Sequence, residues 1–384
     1  MKKLLPFFGL VLALGLGACS PQPVEPIRIG FIGGLTSANS DNGQAGLNAL
    51  TLAVEQFNRA GGVNGRLVEL VSRDDAQNAE TAARAARDLV EAKVEAVIGP
   101  FTSSMAAAIV PITGEAGIFQ VSPTITAMDF HGKDDNLFRI NRTTRDYAED
   151  YASVLMSQGL RRTAVAYDTR NLNFTASWLK EFRAAEQAAG QSLAAEIAYE
   201  SGDSTDFGQV ISQMLASKPD NLVFISGALD VARLAQQARK QAPKLPIAAA
   251  EWAATEQLVE LGGEVVEGLL IVQNYDRDDQ SERYRDFADA FYKRFQRQPG
   301  PGLHRRIVPV QNGAAQDKLV HTDTPGLGRR SSHWCGFGGF GCCASKNLGH
   351  ALQVQAPLRV ARHRQLRPLP GDLAQLDVPR QRLG

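Results

Sequence analysis

From residue 27 to residue 297, short apolar or β-branched runs alternate with longer segments of helical period. That alternation leaves few folds open. Ile27-Arg28-Ile29-Gly30-Phe31-Ile32 reads as a strand and ends in Gly33-Gly34. Leu47, Leu50, Val54 and Phe57 then recur at helical spacing over residues 44–60, and Gly61-Gly62 stops the pattern. Strands are expected at 67–71, 96–99 and 118–122, with helices at 79–92 and 104–116 between and beside them. Strands separated by helices of ten or more residues require crossover connections, hence a parallel sheet with helices on its faces.

The pattern then restarts. Helices are expected at 144–158, 174–189, 207–216, 230–241, 255–261 and 281–297, with Thr205 or Asp206 capping the third. Strands are expected at 163–167, 192–198, 222–225, 246–249 and 269–272. Two β-α sets in tandem predict an α/β protein of two similar lobes, each large enough to hold its own core. The 41 basic and 41 acidic residues cancel, which removes any chain-wide argument for nucleic acid. Between Ser20 and Trp334 there is no Cys, so the main body is held by burial and not by disulfides.

The first residues carry a different signal. Lys2 and Lys3 precede an apolar run over 4–16, and Leu16-Gly17-Ala18-Cys19 follows. Residues 1–18 read as a secretory signal, too short to span a bilayer permanently. The tetrapeptide resembles a bacterial lipobox; by that resemblance cleavage precedes Cys19 and the Cys19 sulfur carries a lipid. An ordinary signal with a coincidental Cys is the plainer alternative. Residues 19–26, with two prolines before Pro26, would tether the folded body to the membrane.

Several stretches resemble the branched-chain amino-acid (Leu/Ile/Val)-binding family of type I periplasmic solute-binding proteins. They are Asn58-Arg59-Ala60-Gly61-Gly62-Val63-Asn64-Gly65-Arg66, Arg73-Asp74-Asp75, Ile98-Gly99-Pro100-Phe101-Thr102-Ser103-Ser104 and Val121-Ser122-Pro123-Thr124-Ile125-Thr126. Tyr167-Asp168, Asp203-Ser204-Thr205-Asp206-Phe207 and Glu251-Trp252-Ala253 continue the series. The resemblance implies two Rossmann-like lobes joined by three hinge strands, with ligand in the cleft. Lobe one would hold 27–140 and about 272–301, and lobe two 141–271. The first two crossings would fall at 139–141 and 271–273. It further implies no enzymatic activity, no cofactor, a small amino-acid-like ligand and delivery to ABC permease subunits in a membrane. The alternative is a ligand sensor of the same fold with no role in transport.

Ser103 stands where the third strand gives way to a helix, whose first amides lack intrahelical partners and suit an anion. Thr124 and Thr126 follow the next strand, on a loop of the kind that binds ligands at the carboxyl ends of parallel sheets. By resemblance these three serve an α-carboxylate and part of an α-ammonium; their plainer roles are helix capping and turn stabilisation. Glu251, after the apolar 247–250 run, matches the family's ammonium-binding acid. Asn42 stands where the family commonly has a tyrosine. Residues 172–174 and 228–230 replace two others, which puts branched-chain specificity in doubt. Phe174 is either an aromatic wall of the pocket or a core residue of its helix. Asp230 is expected to be a helix N-cap.

Other features have plain readings. Asp74-Asp75 is expected to be a solvated turn and not a metal site, and His131 a surface residue. Gly33-Gly34 lacks the G-x-G-x-x-G continuation of a nucleotide loop. Residues 302–384 change character: they contain no Glu, five of the six His and three of the four Cys, and show neither strand nor helix periodicity. A shifted reading frame is the preferred reading of this atypical basic tail. A disordered basic extension is the second, and a metal element of His333, Cys335, Cys342 and Cys343 the third.

Overall fold

A computed structural model describes residues 25–37, 40–272 and 279–299, and the backbone of 308–310. The first set of elements runs β1 (Ile27–Gly33), α1 (Asp41–Arg59), β2 (Val68–Asp74), α2 (Ala79–Glu91), β3 (Ala96–Ile98), α3 (Ser103–Glu115), β4 (Phe119–Ser122) and β5 (Leu137–Arg139). The strands form one parallel sheet in the order β2-β1-β3-β4-β5. The second set runs α4 (Thr144–Ser157), β6 (Thr163–Asp168), α5 (Leu172–Ala188), β7 (Ala195–Tyr199), α6 (Phe207–Ala216), β8 (Asn221–Ile225), α7 (Ala228–Gln241), β9 (Ile247–Ala249), a 3₁₀ turn at Glu251–Ala253, α8 (Glu256–Gly262) and β10 (Leu270–Val272). After α9 (Glu282–Phe295), the strand β11 (Val308–Val310) joins β10. The second sheet is parallel throughout and ordered β11-β10-β9-β8-β6-β7. In both sheets the order reverses beside the first strand of the set, and the crevice at such a switch point is where open α/β sheets hold ligands.

Local chemistry starts the helices where the sequence places its caps. The Asn78 side chain accepts from Thr81 N at 3.0 Å, and Asp206 accepts from Gln209 N at 2.9 Å. At α4, Thr143 and Asp146 form a reciprocal capping box. Burial then fixes the layers. In β8, Leu222 and Phe224 face one core cluster and Val223 and Ile225 the other, so the second sheet is covered on both sides. The α5 residues Phe174, Trp178 and Phe182, four apart, fill one of these clusters with Tyr147 and Tyr151 of α4. Each such side chain contributes roughly 1.5–3 kcal/mol by leaving water.

The first sheet is buried less evenly. Ile32 and Val97 pack under α2 and α3 with Leu89, Met105 and Ile109. On the opposite face, Phe119 and Phe138 touch at 4.8 Å between ring centroids yet remain 47% and 54% exposed, and Ile140 is 76% exposed. α9 lies against α1 on this lobe, where Arg294 pairs with Glu55 at 3.0 Å. Gly99 is required at the end of β3: its φ is +119°, and a Cβ there would lie 2.0 Å from the Ile32 carbonyl oxygen.

Three expectations need correction. Residues 308–310 form a strand inside the stretch that showed no periodicity; three residues are too few to display alternation, and Pro309 is tolerated because β11 is an edge strand among the described residues. Asp230 is not a helix cap: Gly227 caps α7, and Asp230 is buried inside its first turn, accepting from the Tyr199 hydroxyl at 3.3 Å. Asp74-Asp75 is not a solvated turn. Asp75 is 1% exposed, its Oδ1 accepts from Gln77 N, and burial pushes its carboxyl up to about 6. His131 is exposed. The signal and lipidation readings at 1–24, the crossing residue Gln273 and the rest of the tail lie outside the described residues. No helix among the described residues is long and apolar enough to cross a membrane.

Candidate functional site

The loop between β3 and α3 is clamped to the loop after β4. Ser122 Oγ donates to the Pro100 carbonyl and Thr124 Oγ1 to the Phe101 carbonyl, both at 2.7 Å. Ser122 also accepts from Ile125 N at 3.2 Å. The Thr124 hydroxyl therefore holds the approach to α3, with its lone pairs still able to accept. Ser103, 2% exposed, opens that helix. Its neighbour Ser104 meets the second lobe: Ser104 N donates to Asn171 Oδ1 at 3.1 Å, and Ser104 Oγ accepts from Asn173 N at 3.2 Å. One of the first amides of α3 is thus already occupied by a buried asparagine from across the gap.

Thr126 lies two residues on from Thr124. Its carbonyl accepts from Thr144 N at 2.8 Å, which joins the first lobe to the start of α4. Its hydroxyl is buried outside any hydrogen bond of ordinary geometry among the described residues, but close to the Glu251 carboxylate. Glu251 approaches from the second lobe, on the 3₁₀ turn after β9. Trp178 Nε1 donates to Glu251 Oε2 at 3.1 Å, while Oε1 is buried outside any such bond. Burial pushes the Glu251 carboxyl up to about 7; the Trp178 N–H, the charge of Arg142 and the nearby Thr126 hydroxyl pull it back only in part. The facing ends of the lobes therefore bring together a buried carboxylate with one oxygen outside any hydrogen bond of ordinary geometry, the Thr126 hydroxyl close to it from the other lobe and the opening turn of α3. A ligand cation at Glu251 would repay the cost of burying that charge.

The structure brings Ser103, Thr124, Thr126 and Glu251 to the facing ends of the two lobes. It does not bring Phe174 there as an open wall. Phe174 is 5% exposed, packs in the core of the second lobe and meets Trp252 edge-on at 5.8 Å. Its contact with the site is indirect, through the residue after Glu251. Asn42 lies in the first turn of α1 and lines a separate interlobe hollow. Trp178, Asn171 and Arg142 escape sequence reasoning. Trp178 falls on the core-facing period of α5 and so reads as packing; its indole N–H has no sequence signal. Among the described residues, no group of three or more His, Cys, Asp or Glu is placed to hold a metal.

A family model described as "Periplasmic binding protein" matches residues 26–305. The Leu/Ile/Val-binding protein BraC3 of Rhizobium johnstonii is 27% identical over 209 residues, covering 54% of this chain and 56% of that one. The chain thus spans about half the length of that relative. Among solved structures, the leucine binding protein LivK of Thermotoga maritima superposes with a TM-score of 0.65 at 25% identity, over 71% of this chain and 77% of that one. The branched-chain amino acid transporter substrate binding protein LivJ of Streptococcus pneumoniae, in complex with isoleucine, gives a TM-score of 0.66 at 24% identity. That match covers 72% of this chain and 79% of LivJ, and it speaks for the fold.

Proposed function

The chain belongs to the periplasmic binding protein family, and on that premise we propose that it captures a small amino-acid-like solute between its lobes for delivery to an ABC importer. One observation carries the reading: a buried carboxylate, Glu251, has Oε1 outside any hydrogen bond of ordinary geometry, with a neutral hydroxyl, Thr126, and no cation among the described residues brought up to it from the other lobe. An α-ammonium group is the counter-ion such an oxygen needs. The opening turn of α3, with Ser103 and the accepting lone pairs of Thr124, suits the α-carboxylate. Ligand charges of opposite sign would then be gripped by opposite lobes, and the full binding energy would be realised only on closure. Delivery requires an exported protein held near its permease, which the lipobox-like Cys19 would supply by a lipid anchor.

The test is a thermal-shift and calorimetric screen of amino acids against wild type and Glu251→Gln. Loss of a charge-assisted hydrogen bond removes about 1.5–3 kcal/mol, so the variant should bind roughly ten- to a hundredfold more weakly. Equal affinities in the two proteins would overturn the ammonium role.

A further inference from the structure

A second hollow lies beside the Glu251 turn. It measures about 320 Å³ and is lined from the first lobe by the opening of α1, including Asp41 and Asn42, and from the second lobe by Thr255, Glu256, Gln257 and Glu260. The two sites are joined by one turn of chain. Ala254 N donates to the Glu251 carbonyl at 2.9 Å, which holds residues 251 and 254 within about 7 Å between Cα atoms, and Ala254 itself lines the hollow. Asp41 Oδ2, Thr255 Oγ1 and Gln257 Oε1 are buried here outside any hydrogen bond of ordinary geometry among the described residues, and the Thr255 hydroxyl lies close enough to the Asp41 carboxyl to pull its pKa down. Asp41 Oδ2 and Gln257 Oε1 are acceptors, and the Thr255 hydroxyl is set to donate to the Asp41 carboxylate. The charged side chains on the wall are three acids and one base, Arg297. Burial raises the Asp41 carboxyl above its ordinary range, and the Thr255 hydroxyl and the backbone N–H groups of Asp41 and Asn42 pull it back only in part.

We infer that this hollow receives the far end of the solute, and that this end carries cationic hydrogen-bond donors, as in an amino acid whose side chain ends in an ammonium or guanidinium group. The inference rests on the reading of Glu251 as the α-ammonium site and adds the substrate class to it. Ala254, three residues on from Glu251, is the wall of the hollow that the side chain of a solute held at Glu251 would meet first. An ammonium or guanidinium group there would satisfy Asp41 Oδ2 and Gln257 Oε1 together. A leucine or isoleucine side chain would leave both unpaired, and a site that loses buried hydrogen bonds rejects such an analogue strongly. Asp41 and Gln257 come from opposite lobes, so the same contact also rewards closure.

The experiment is calorimetry on the full-length chain with L-arginine, L-lysine, L-leucine and L-isoleucine, using wild type, Asp41→Asn and Glu251→Gln. The expected result is that arginine or lysine binds at least tenfold more tightly than leucine. Asp41→Asn should erase that preference while moving the leucine affinity by less than about twofold. Should Asp41→Asn lower the unfolding temperature, Gln257→Leu carries the same expectation with the carboxylate in place. A wild type that binds leucine through Glu251 and ignores arginine and lysine would overturn this inference and leave the amino-acid reading standing. A Glu251→Gln variant that binds all four as wild type does, or a wild type that binds none of them, would sink the underlying reading and this one with it.

Discussion

Glu251 is the residue whose environment costs the unliganded protein most visibly. Its carboxyl ionises near pH 7 in the folded chain against an ordinary 4.5, so between those values the native state holds a proton that the unfolded chain has released. Stability contributed by the protonated form is therefore lost as pH rises from about 4.5 through about 7. Asp75 and Glu186, pushed up to about 6 and about 7 by burial, act in the same direction. The difference between Glu251→Gln and wild type isolates the one group. We expect unliganded Glu251→Gln to gain on wild type across this window by up to roughly 3 kcal/mol, read by urea denaturation at pH 5 and pH 8. No change in that difference would mean that Glu251 is not buried as described. Solute binding should show the opposite slope, since an ammonium ion needs the ionised acid. Glu251 was legible in the sequence because it ends an apolar run. The proton balance was not, because it depends on Trp178, 73 positions away, and on a desolvation that no linear motif records.

At the scale of elements, the helices and most strands were legible because burial on one or both faces imposes a period. The start of α6 is further marked by Asp206, whereas the capping box of Thr143 and Asp146 at α4 emerges only from the structure. The expected bounds fall within about three residues of those observed. The three-residue strands were harder. The resemblance implies only a crossing at 139–141 beside β5, and nothing in the sequence marks β11; each borrows its stability from a neighbouring strand. The loop that launches α3 depends on a position whose identity the backbone dictates. Gly99→Ala would drive a Cβ into the Ile32 carbonyl at a φ that alanine rarely adopts. We expect a loss of about 2–4 kcal/mol in denaturant unfolding, with weakened solute binding, because Ser103 and Thr124 are positioned from this loop. A variant as stable as wild type would show that β1 and β3 can separate there without cost.

Across the whole molecule the two lobes differ in how completely their sheets are covered. The second sheet is buried on both faces, whereas Phe119, Phe138 and Ile140 leave part of one face of the first sheet open to water. Calorimetry of the unliganded chain should accordingly show two transitions, the earlier one belonging to the first lobe, and Phe138→Ser should shift that first transition least among core-sized substitutions because its ring gains so little from folding. One cooperative transition well above ambient temperature would contradict this account. The open face gives solute capture a second meaning. A molecule clasped between Thr126 and Glu251 would splice the weaker half to the sturdier one, so that occupancy would register as armour against proteolysis as much as a change of shape.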